Sequence, residues 1–327
     1  MRVTVLSGGV GGARFLLGLR TLGHDLTVIG NTGDDVTMLG LRICPDLDTV
    51  MYTLGDGISA ERGWGREAET FRVRDELTTY AEALAGSDGA DSVPSWFGLG
   101  DLDLATHLLR SQWLTAGVPL SEVTRRLCER WRPGVRLLPA TDAQIETHVV
   151  LETGATVHFQ EWWVRLHAAV AASRFDVVGA GRSVPAPGVV AAIHDADVVL
   201  LPPSNPVVSI GVILAVPGIS ETLRETAAPV IGLSPIVGGA PVRGMADACL
   251  AAIAVETTAS AVARHYGARS RGGLLDGWLV DTVDGESVGP LQQDGILTAA
   301  VPLMMTDVAA TAEMASAALA LATEVRR

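Results

Sequence analysis

The sequence predicts an α/β protein with a Rossmann-like, doubly wound, mostly parallel sheet and an inserted, mainly helical subdomain. Residues 3–6 and 26–29 are short apolar strands on either side of a helical segment, which makes one βαβ unit. Residues 197–201 are another predicted strand. They are apolar after Asp197, which is typical of a parallel strand that is covered on both faces. We therefore assign residues 1–48 and 175–327 to a nucleotide-binding core and residues 49–174 to the insertion.

The first strand leads into the glycine turn Ser7-Gly-Gly-Val-Gly-Gly12 and a helix over 13–22. Free N–H groups and the positive helix end at such a turn can hold a phosphate, so Gly8, Gly9, Gly11 and Gly12 are predicted nucleotide-binding residues. A full dinucleotide fingerprint would need a third glycine or alanine where Arg14 stands. A Walker loop is excluded, because all 24 basic residues are arginine. The alternative is a glycine turn that only lets the helix pack on its strand.

Acidic residues follow the second strand and open the next helix. Asn31-Thr-Gly-Asp34-Asp35 lies just past the carboxyl end of the strand, where open α/β sheets bind ligands. Pro45-Asp46-Leu47-Asp48 places two carboxylates two residues apart. Mg²⁺ prefers one or two carboxylates with phosphate oxygens and water, so we predict Asp48, with Asp46 or Asp34, as metal ligands, and Asp48 and Asp46 as catalytic residues. The alternatives are a turn cap for Asp34 or Asp35 and a helix cap or first-turn acid for Asp46.

The predicted insertion is polar and helical up to residue 128. It contains the cluster Gly63-Trp64-Gly65, an acidic surface loop at 85–94, and the segment 96–101 before a helix over 104–113. Residues 147–151 and 156–159 alternate as a hairpin.

The second half returns to the parallel sheet. Ser204 and Asn205 end the apolar strand among prolines and can reach a nucleotide, or can form an Asx-type turn. The remaining predicted elements are a helix over 187–196, an apolar segment 210–216, a helix over 220–226, a strand over 230–234, a loop over 235–244, one long helix over 245–266 and an alanine-rich helix over 309–325.

The composition also limits which partners, cysteine sites and membrane segments the protein can have. The 327 residues are 48% hydrophobic and carry a net charge of −13, which disfavours nucleic acid and anionic membranes as partners. Cys44, Cys128 and Cys249 are widely spaced and odd in number, which supports neither a disulfide framework nor a zinc site. Charged residues and prolines interrupt the apolar stretches 189–201 and 207–216, so we expect no membrane span and a cytoplasmic protein.

Six motifs occur in an order that resembles the CofD/FbiA family of coenzyme F420 biosynthesis, and the arginine-only composition is similar to its actinobacterial FbiA branch. They are Ser7-Gly-Gly-Val-Gly-Gly12, Pro45-Asp-Leu-Asp-Thr-Val50, Leu99-Gly-Asp101-x-Asp103-x-Ala-Thr-His107, His158-Phe-Gln160, Pro203-Ser-Asn-Pro206 and Ser234-Pro-Ile236. Leu102 and Gly98 stand where members of the family often carry basic residues, and Pro202 stands where glycine is common.

This resemblance implies a Mg²⁺-dependent transfer from a guanosine diphosphate-linked donor to the deazaflavin alcohol Fo, by a homodimer. The donor would carry an enolpyruvyl phosphate in the FbiA branch, giving dehydro-F420-0 and GMP, or 2-phospho-L-lactate in the archaeal branch. The resemblance further implies that Ser204, Asn205, Ser234 and Asp101 bind substrates, with Asp48 on the cation or the Fo hydroxyl. Aromatic side chains in the insertion would stack on the deazaflavin or belong to the core; they are Trp64, Trp96 and Phe97.

Two rival functions share part of this pattern, but the Pro45-Asp-Leu-Asp48, Leu99-Gly-Asp101 and His158-Phe-Gln160 segments argue against the first, and Arg14 argues against the second. Gluconeogenesis-factor regulators share the glycine turn but bind a nucleotide-sugar without turning it over, and an NAD-dependent dehydrogenase would use the turn for a dinucleotide. A histidine within a helix, such as His107, is more often a packing residue than a base. We predict that Asp48→Asn abolishes turnover while the fold persists.

Overall fold

The computed structural model describes residues 1–85 and 96–325. The predicted surface loop at 85–94 therefore falls, except for Ala85, outside the described residues. In chain order the strands are β1 (Arg2–Ser7), β2 (Asp25–Gly30), β3 (Val36–Met38), β4 (Leu41–Ile43), β5 (Arg136–Pro139), β6 (Glu146–Leu151), β7 (Thr156–His158), β8 (Ala172–Val178), β9 (Val198–Leu201), β10 (Val230–Leu233), β11 (Ile236–Val237), β12 (Ala240–Pro241), β13 (Gly277–Val280) and β14 (Leu297–Ala300).

Helices alternate with these strands along most of the chain. They are α1 (Gly9–Thr21), α2 (Pro45–Leu54), α3 (Arg72–Ala83), α4 (Asp101–Thr115), α5 (Leu120–Trp131), α6 (Val189–His194), α7 (Gly211–Leu214), α8 (Ile219–Glu225), α9 (Ala246–Ala252), α10 (Ala259–Tyr266), α11 (Val288–Gln293) and α12 (Val308–Val325).

The described residues form a central sheet of seven strands in the order β14-β13-β10-β9-β1-β2-β5. Every neighbouring pair in it is parallel. The strands β9, β10 and β13 are buried along their whole length, as their apolar sequences require. The predicted α/β class with a parallel sheet is confirmed.

Apolar helices cover both faces of this sheet. On one face lie α1, α2, α5 and α12, with buried residues such as Phe15 and Met314. On the other face lie α6, α8, α10 and α11, with buried residues such as Ile193 and Val262. The winding reverses between β1 and β9, since β2 and β5 follow β1 on one side while β10, β13 and β14 follow β9 on the other. In open α/β sheets, ligands bind outside the carboxyl ends of the strands at such a reversal.

Among the described residues, α12 is long and apolar enough to cross a membrane, by length and composition alone. The segments 206–214 and 219–225 would also be long and apolar enough if they formed a single span, although they are bent by 82° to each other. The buried residues of α12 pack in the core, and its backbone approaches α1 closely. A Cβ on Gly18 of α1 would lie 2.5 Å from the backbone N of Ala312. The apolar side of α12 therefore has packing partners within the chain.

Two predictions about elements need correction. The predicted long helix over 245–266 is wrong, because α9 ends at Ala252 and α10 begins at Ala259. Ala254 takes a left-handed conformation with φ of 55°, and the Thr258 hydroxyl accepts a hydrogen bond from the N–H of Ala261 at 3.1 Å to start α10. The range 49–174 also contains β5, which is an edge strand of the central sheet, so that range is not wholly an insertion.

Candidate active site

The glycine turn after β1 and the proline turn after β9 meet at the reversal point of the sheet. The Ser204 hydroxyl donates to the carbonyl of Gly8 at 2.9 Å and accepts from the N–H of Gly8 at 3.3 Å. Ser204 is 4% exposed. Its role visible in the structure is therefore to hold the two turns together.

The glycines of the turn are required by conformation and by packing. Gly9 has a φ of +62°, in the left-handed region, and Gly8 caps α1 without any side-chain hydrogen bond. A Cβ on Gly11 would lie 2.3 Å from the carbonyl oxygen of Pro203, and a Cβ on Gly12 would lie 2.1 Å from Ser7 Oγ. The packing alternative thus explains Gly11 and Gly12. The N–H of Gly9 hydrogen-bonds the carboxyl of Asp46, so the turn is joined to the first turn of α2, and phosphate binding by the turn stays a prediction.

Gly11→Ala is expected to lower the free energy of unfolding by about 1–3 kcal/mol, because its Cβ would press against rigid backbone. The matched control is Gly289→Ala in α11, where a Cβ meets nothing within 4 Å. Chemical denaturation of both variants measures the difference. Equal stabilities of the two variants would show that the turn has room to move.

Asp34 and Asp46 form a buried pair beside the glycine turn. The side-chain amide of Asn31 donates to Asp34 Oδ1 at 3.0 Å and to Asp46 Oδ2 at 2.9 Å. Burial raises the pKa of both carboxyls, to about 6 for Asp46, and the neighbouring Asp46 raises the pKa of Asp34 further. Within the described part of the chain, neither carboxylate forms an ion pair. Two adjacent carboxylates without a cationic side chain fit the ligand preference of Mg²⁺.

Asp48 lies in a different network, although it is only two residues from Asp46. Positions i and i+2 of a helix face different directions, and Asp48 accepts hydrogen bonds from Arg110, one at 3.0 Å from Nη1 and a shorter one from Nη2. Arg110 and Asp48 are both buried. This bidentate, buried ion pair joins α2 to α4.

His107 and Asp103 extend this network. Arg110 Nη1 lies 3.1 Å from His107 Nδ1, and an arginine can only donate, so His107 carries its proton on Nε2, which lies 3.4 Å from Asp103 Oδ2. The hydroxyl of Tyr52 donates to Asp103 Oδ1 at 2.6 Å. Hydrogen bonds from Tyr52 and His107 hold the pKa of Asp103 below its usual value despite its burial.

Asp48, Asp103 and His107 also place one possible metal-ligand atom each within 4.8 Å of one another. The buried guanidinium of Arg110 already balances charge at this point and would repel a divalent cation. Of the three predicted metal ligands, the structure therefore brings Asp34 and Asp46 together and leaves Asp48 apart.

Asp35 is buried, and among the described residues its carboxyl oxygens have no N–H or O–H partner; the Cys44 thiol is the group that hydrogen-bonds them. Arg42 Nη2 lies 3.6 Å from Asp35 Oδ2. Burial raises the pKa of Asp35 to about 7, against the opposing effect of Arg42. The motif around His158 supports the backbone here, since His158 Nε2 lies 3.2 Å from the carbonyl of Asp35 and Gln160 donates to the carbonyl of Asp34.

Asp35→Asn is expected to stabilise the metal-free protein at pH 8 by about 1–4 kcal/mol and to have little effect at pH 4. The folded state raises the pKa of this carboxyl, so ionisation costs stability as the pH rises from about 4 through about 7. Denaturation in EDTA at both pH values checks this, with the exposed Asp195→Asn as control. A difference from wild type that is independent of pH would contradict it.

The other predicted binding residues have structural partners. Asn205 Oδ1 accepts from the N–H groups of Val207 at 2.9 Å and Val208 at 3.2 Å, which is the Asx-type turn. The Ser234 hydroxyl donates to the carbonyl of Ile236 at 2.7 Å. Asp101 is near the protein surface and accepts from the N–H of Val73 at 3.1 Å, so it caps α3. Their roles toward ligands stay predictions.

The three aromatic residues predicted to stack on a ligand lie in two different environments. Trp96 and Phe97 pack edge to face, with ring centres 5.6 Å apart, against a small apolar cluster that includes Leu99. Trp64 is 47% exposed, and the guanidinium carbon of Arg62 lies 5.6 Å from its ring centre, so stacking of Trp64 on a planar ligand stays a prediction. Leu102, at the position where the related family often has arginine, is also exposed.

Sequence reasoning missed Asn31 and Arg110 as members of these networks. Asn31 stands three residues before Asp34, and Arg110 stands three residues after His107, on the same face of α4. That helical spacing is the one signal in the sequence that relates Arg110 to the histidine.

Comparisons with known proteins agree with this architecture. The family model described as 2-phospho-L-lactate transferase CofD matches residues 3–308. A phosphoenolpyruvate transferase of Streptomyces coelicolor is 60% identical over 331 residues, which cover 100% of this chain and 99% of the relative. A phosphoenolpyruvate transferase of Thermobifida fusca is 57% identical over 339 residues, with coverage of 100% and 99%. A solved structure of a UPF0052-family protein from Bacillus halodurans matches with a TM-score of 0.63 at 19% identity, covering 97% of this chain and 98% of that one, and shares the fold.

Proposed function

Because this chain belongs to the CofD family and is a transferase of the phosphoenolpyruvate or 2-phospho-L-lactate type in coenzyme F420 biosynthesis, we propose the following reaction. It moves an enolpyruvyl-phosphate group from a guanosine diphosphate-linked donor to the terminal hydroxyl of Fo, in a Mg²⁺-dependent step. The products are dehydro-F420-0 and GMP. The enolpyruvyl donor is preferred here because both relatives at 57–60% identity are phosphoenolpyruvate transferases.

The observation that carries this proposal is the buried pair of Asp34 and Asp46, held by Asn31 beside the glycine turn. A Cβ on Gly9 would lie 3.6 Å from Asp46 Oδ1, so the turn that faces a phosphate and the acids that face a cation are adjacent. A diphosphate with a bound divalent cation needs N–H donors for its phosphate oxygens and carboxylates for the cation, close to each other.

The reaction joins the terminal oxygen of Fo to the phosphorus that carries the enolpyruvyl group. It breaks the bond from that phosphorus to the bridging oxygen, so that GMP leaves with the bonding electrons and the hydroxyl proton is released to solvent. Such a transfer depends on positioning and on charge neutralisation more than on a covalent nucleophile. When bound at Asp34 and Asp46, Mg²⁺ would supply positive charge for the phosphate oxygens.

The residues of the chain hold this arrangement in place. The N–H of Gly8 is bonded to Ser204 and that of Gly9 to Asp46, so the N–H groups that follow them in the first turn of α1 are the ones that would bind a phosphate oxygen. Asn31 keeps the two carboxylates at one distance from each other. The ion pair between Asp48 and Arg110 anchors α2 against α4 and so fixes the first turn of α2, which carries Asp46.

To test the proposal, the purified protein is mixed with Fo, Mg²⁺ and equal amounts of the enolpyruvyl and phospholactyl donors, and GMP release and product masses are followed. Faster formation of dehydro-F420-0 supports the proposal. Faster formation of F420-0 would reassign the donor. No product from either donor, with guanosine nucleotide still bound, would favour a nucleotide-binding regulator.

A further inference from the structure

The motif His158-Phe159-Gln160 lies on a second, smaller sheet and reaches the loop that carries Asp34. It starts at the last residue of β7, which pairs with β6 in a three-stranded antiparallel sheet. Phe159 is buried, with its ring centre 6.2 Å from that of Trp162 and 5.8 Å from that of Trp163. The packing of Phe159 among these rings therefore holds the two polar residues of the motif in one place.

This sheet holds three successive carbonyl groups of the loop 31–35. The N–H of Thr147 on β6 donates to the carbonyl of Gly33 at 2.6 Å. The side-chain amide of Gln160 donates to the carbonyl of Asp34 at 3.4 Å, and His158 Nε2 lies 3.2 Å from the carbonyl of Asp35. The contacts of Gln160 and His158 join residues 126 and 123 positions apart, so the small sheet decides where the backbone of this loop lies.

The hydrogen bonds of His158 determine which of its ring nitrogens carries the proton. The N–H of Gln160 donates to His158 Nδ1 at 3.1 Å, so Nδ1 is the acceptor. A carbonyl oxygen can only accept, so Nε2 carries the proton and donates it to the carbonyl of Asp35. Burial lowers the pKa of His158, against the opposing effect of Glu146, and this favours the neutral ring. Both ring nitrogens of a neutral His158 therefore have a partner.

The carboxylate of Asp34 depends on this backbone for its position. Among the described residues, the amide of Asn31 is the one side chain that donates to it, at 3.0 Å, and the same amide donates to Asp46 Oδ2. A Cβ on Gly33 would lie 2.3 Å from Val212 Cγ1, so the loop is packed without free space on that side. A change in the backbone at Asp34 would therefore alter the distance between the two carboxylates.

We infer that His158 and Gln160 are positioning residues for the proposed reaction, with His158 acting as a hydrogen-bond donor from Nε2 and Gln160 from its amide. Together they hold the backbone of Asp34 and Asp35 so that the Asp34 carboxylate stays beside that of Asp46. This inference rests on the proposed function, which assigns the divalent cation to these two acids. Groups that orient metal-binding side chains in this way contribute to metal affinity without touching the metal.

The test compares His158→Asn with His158→Gln. Glutamine keeps an N–H donor about as far from Cα as Nε2, whereas the shorter asparagine keeps a polar atom only near the position of Nδ1 and cannot reach the carbonyl of Asp35. Electron paramagnetic resonance measures the Kd of Mn²⁺ in the presence of guanosine diphosphate. His158→Asn and Gln160→Met are each expected to raise this Kd about tenfold, while His158→Gln stays within about threefold of wild type.

Two controls separate positioning from a general loss of structure. His194→Asn changes an exposed histidine at the end of α6 and is expected to bind Mn²⁺ like wild type. The Kd of guanosine diphosphate in EDTA is expected to be the same in wild type and in every variant, because none of the substituted side chains touches the glycine turn.

Wild-type Mn²⁺ affinity in His158→Asn would overturn the inference. Equal weakening in His158→Asn and His158→Gln would also overturn it, since the packing of the ring and not the donor at Nε2 would then be responsible. A wild-type protein that binds Mn²⁺ but turns over neither donor would refute the proposed function, while the comparison of the two His158 variants would still decide whether the motif positions the acids.

Discussion

Asp46→Asn is expected to lower turnover by about 10²–10³-fold at saturating donor and Fo, while the protein remains folded. Asp46 shares the amide of Asn31 with Asp34, and removing its charge leaves one carboxylate where the proposed cation needs two. Stability at pH 8 is not expected to fall, because burial raises the pKa of Asp46 to about 6, so the charged form is disfavoured in the metal-free fold.

The measurement is kcat at rising Mg²⁺ concentration, together with the melting temperature in EDTA. The matched control is Asp195→Asn, which removes an exposed acid at the end of α6. Wild-type turnover of Asp46→Asn at every Mg²⁺ concentration would remove Asp46 from the mechanism.

Asp48→Asn is expected to destabilise the fold by about 3–5 kcal/mol, because it leaves the buried guanidinium of Arg110 without its bidentate partner. The sequence alone predicts that this variant loses turnover with its fold intact. The structure changes that expectation, since Asp48 is part of the packing between α2 and α4. Loss of turnover in Asp48→Asn therefore combines a structural and a chemical effect.

A double-mutant cycle separates these effects. Arg110→Gln alone is expected to cost a similar amount, since it leaves the carboxylate of Asp48 buried beside that of Asp103. The double variant Asp48→Asn with Arg110→Gln is expected to cost clearly less than the sum of the single changes. Additive losses in denaturation experiments would contradict a coupled ion pair.

Periodicity and turn chemistry predicted most of the central sheet. The apolar runs of β1, β2, β9 and β10 and the glycine turn all occur where the sequence places them, because burial on both faces and a positive φ leave few residue types to choose from. The prediction of one long helix over 245–266 was wrong. Alanine-rich segments on both sides of residue 254 share a helical pattern, but the left-handed conformation of Ala254 stops the first helix from continuing.

The sequence could not predict that Asp46 and Asp48 belong to different hydrogen-bond networks. Two acids at i and i+2 must face different directions, but which of them faces the glycine turn depends on how α2 packs on α1 and α4. The partners Asn31 and Arg110 lie 15 and 62 residues from their acids. Such long-range hydrogen bonds are set by tertiary packing, and local propensity carries no information about them.

We propose that Asp34 and Asp46 hold the divalent cation, while Asp48 is paired with Arg110. Mn²⁺ titration followed by electron paramagnetic resonance, in the presence of guanosine diphosphate, tests this directly, since Mn²⁺ takes the oxygen ligands that Mg²⁺ takes. We expect wild type and the double variant Asp48→Asn with Arg110→Gln to bind Mn²⁺ and Asp46→Asn to lose it. Retention by Asp46→Asn and loss by the double variant would contradict the claim and place the cation at Asp48, Asp103 and His107.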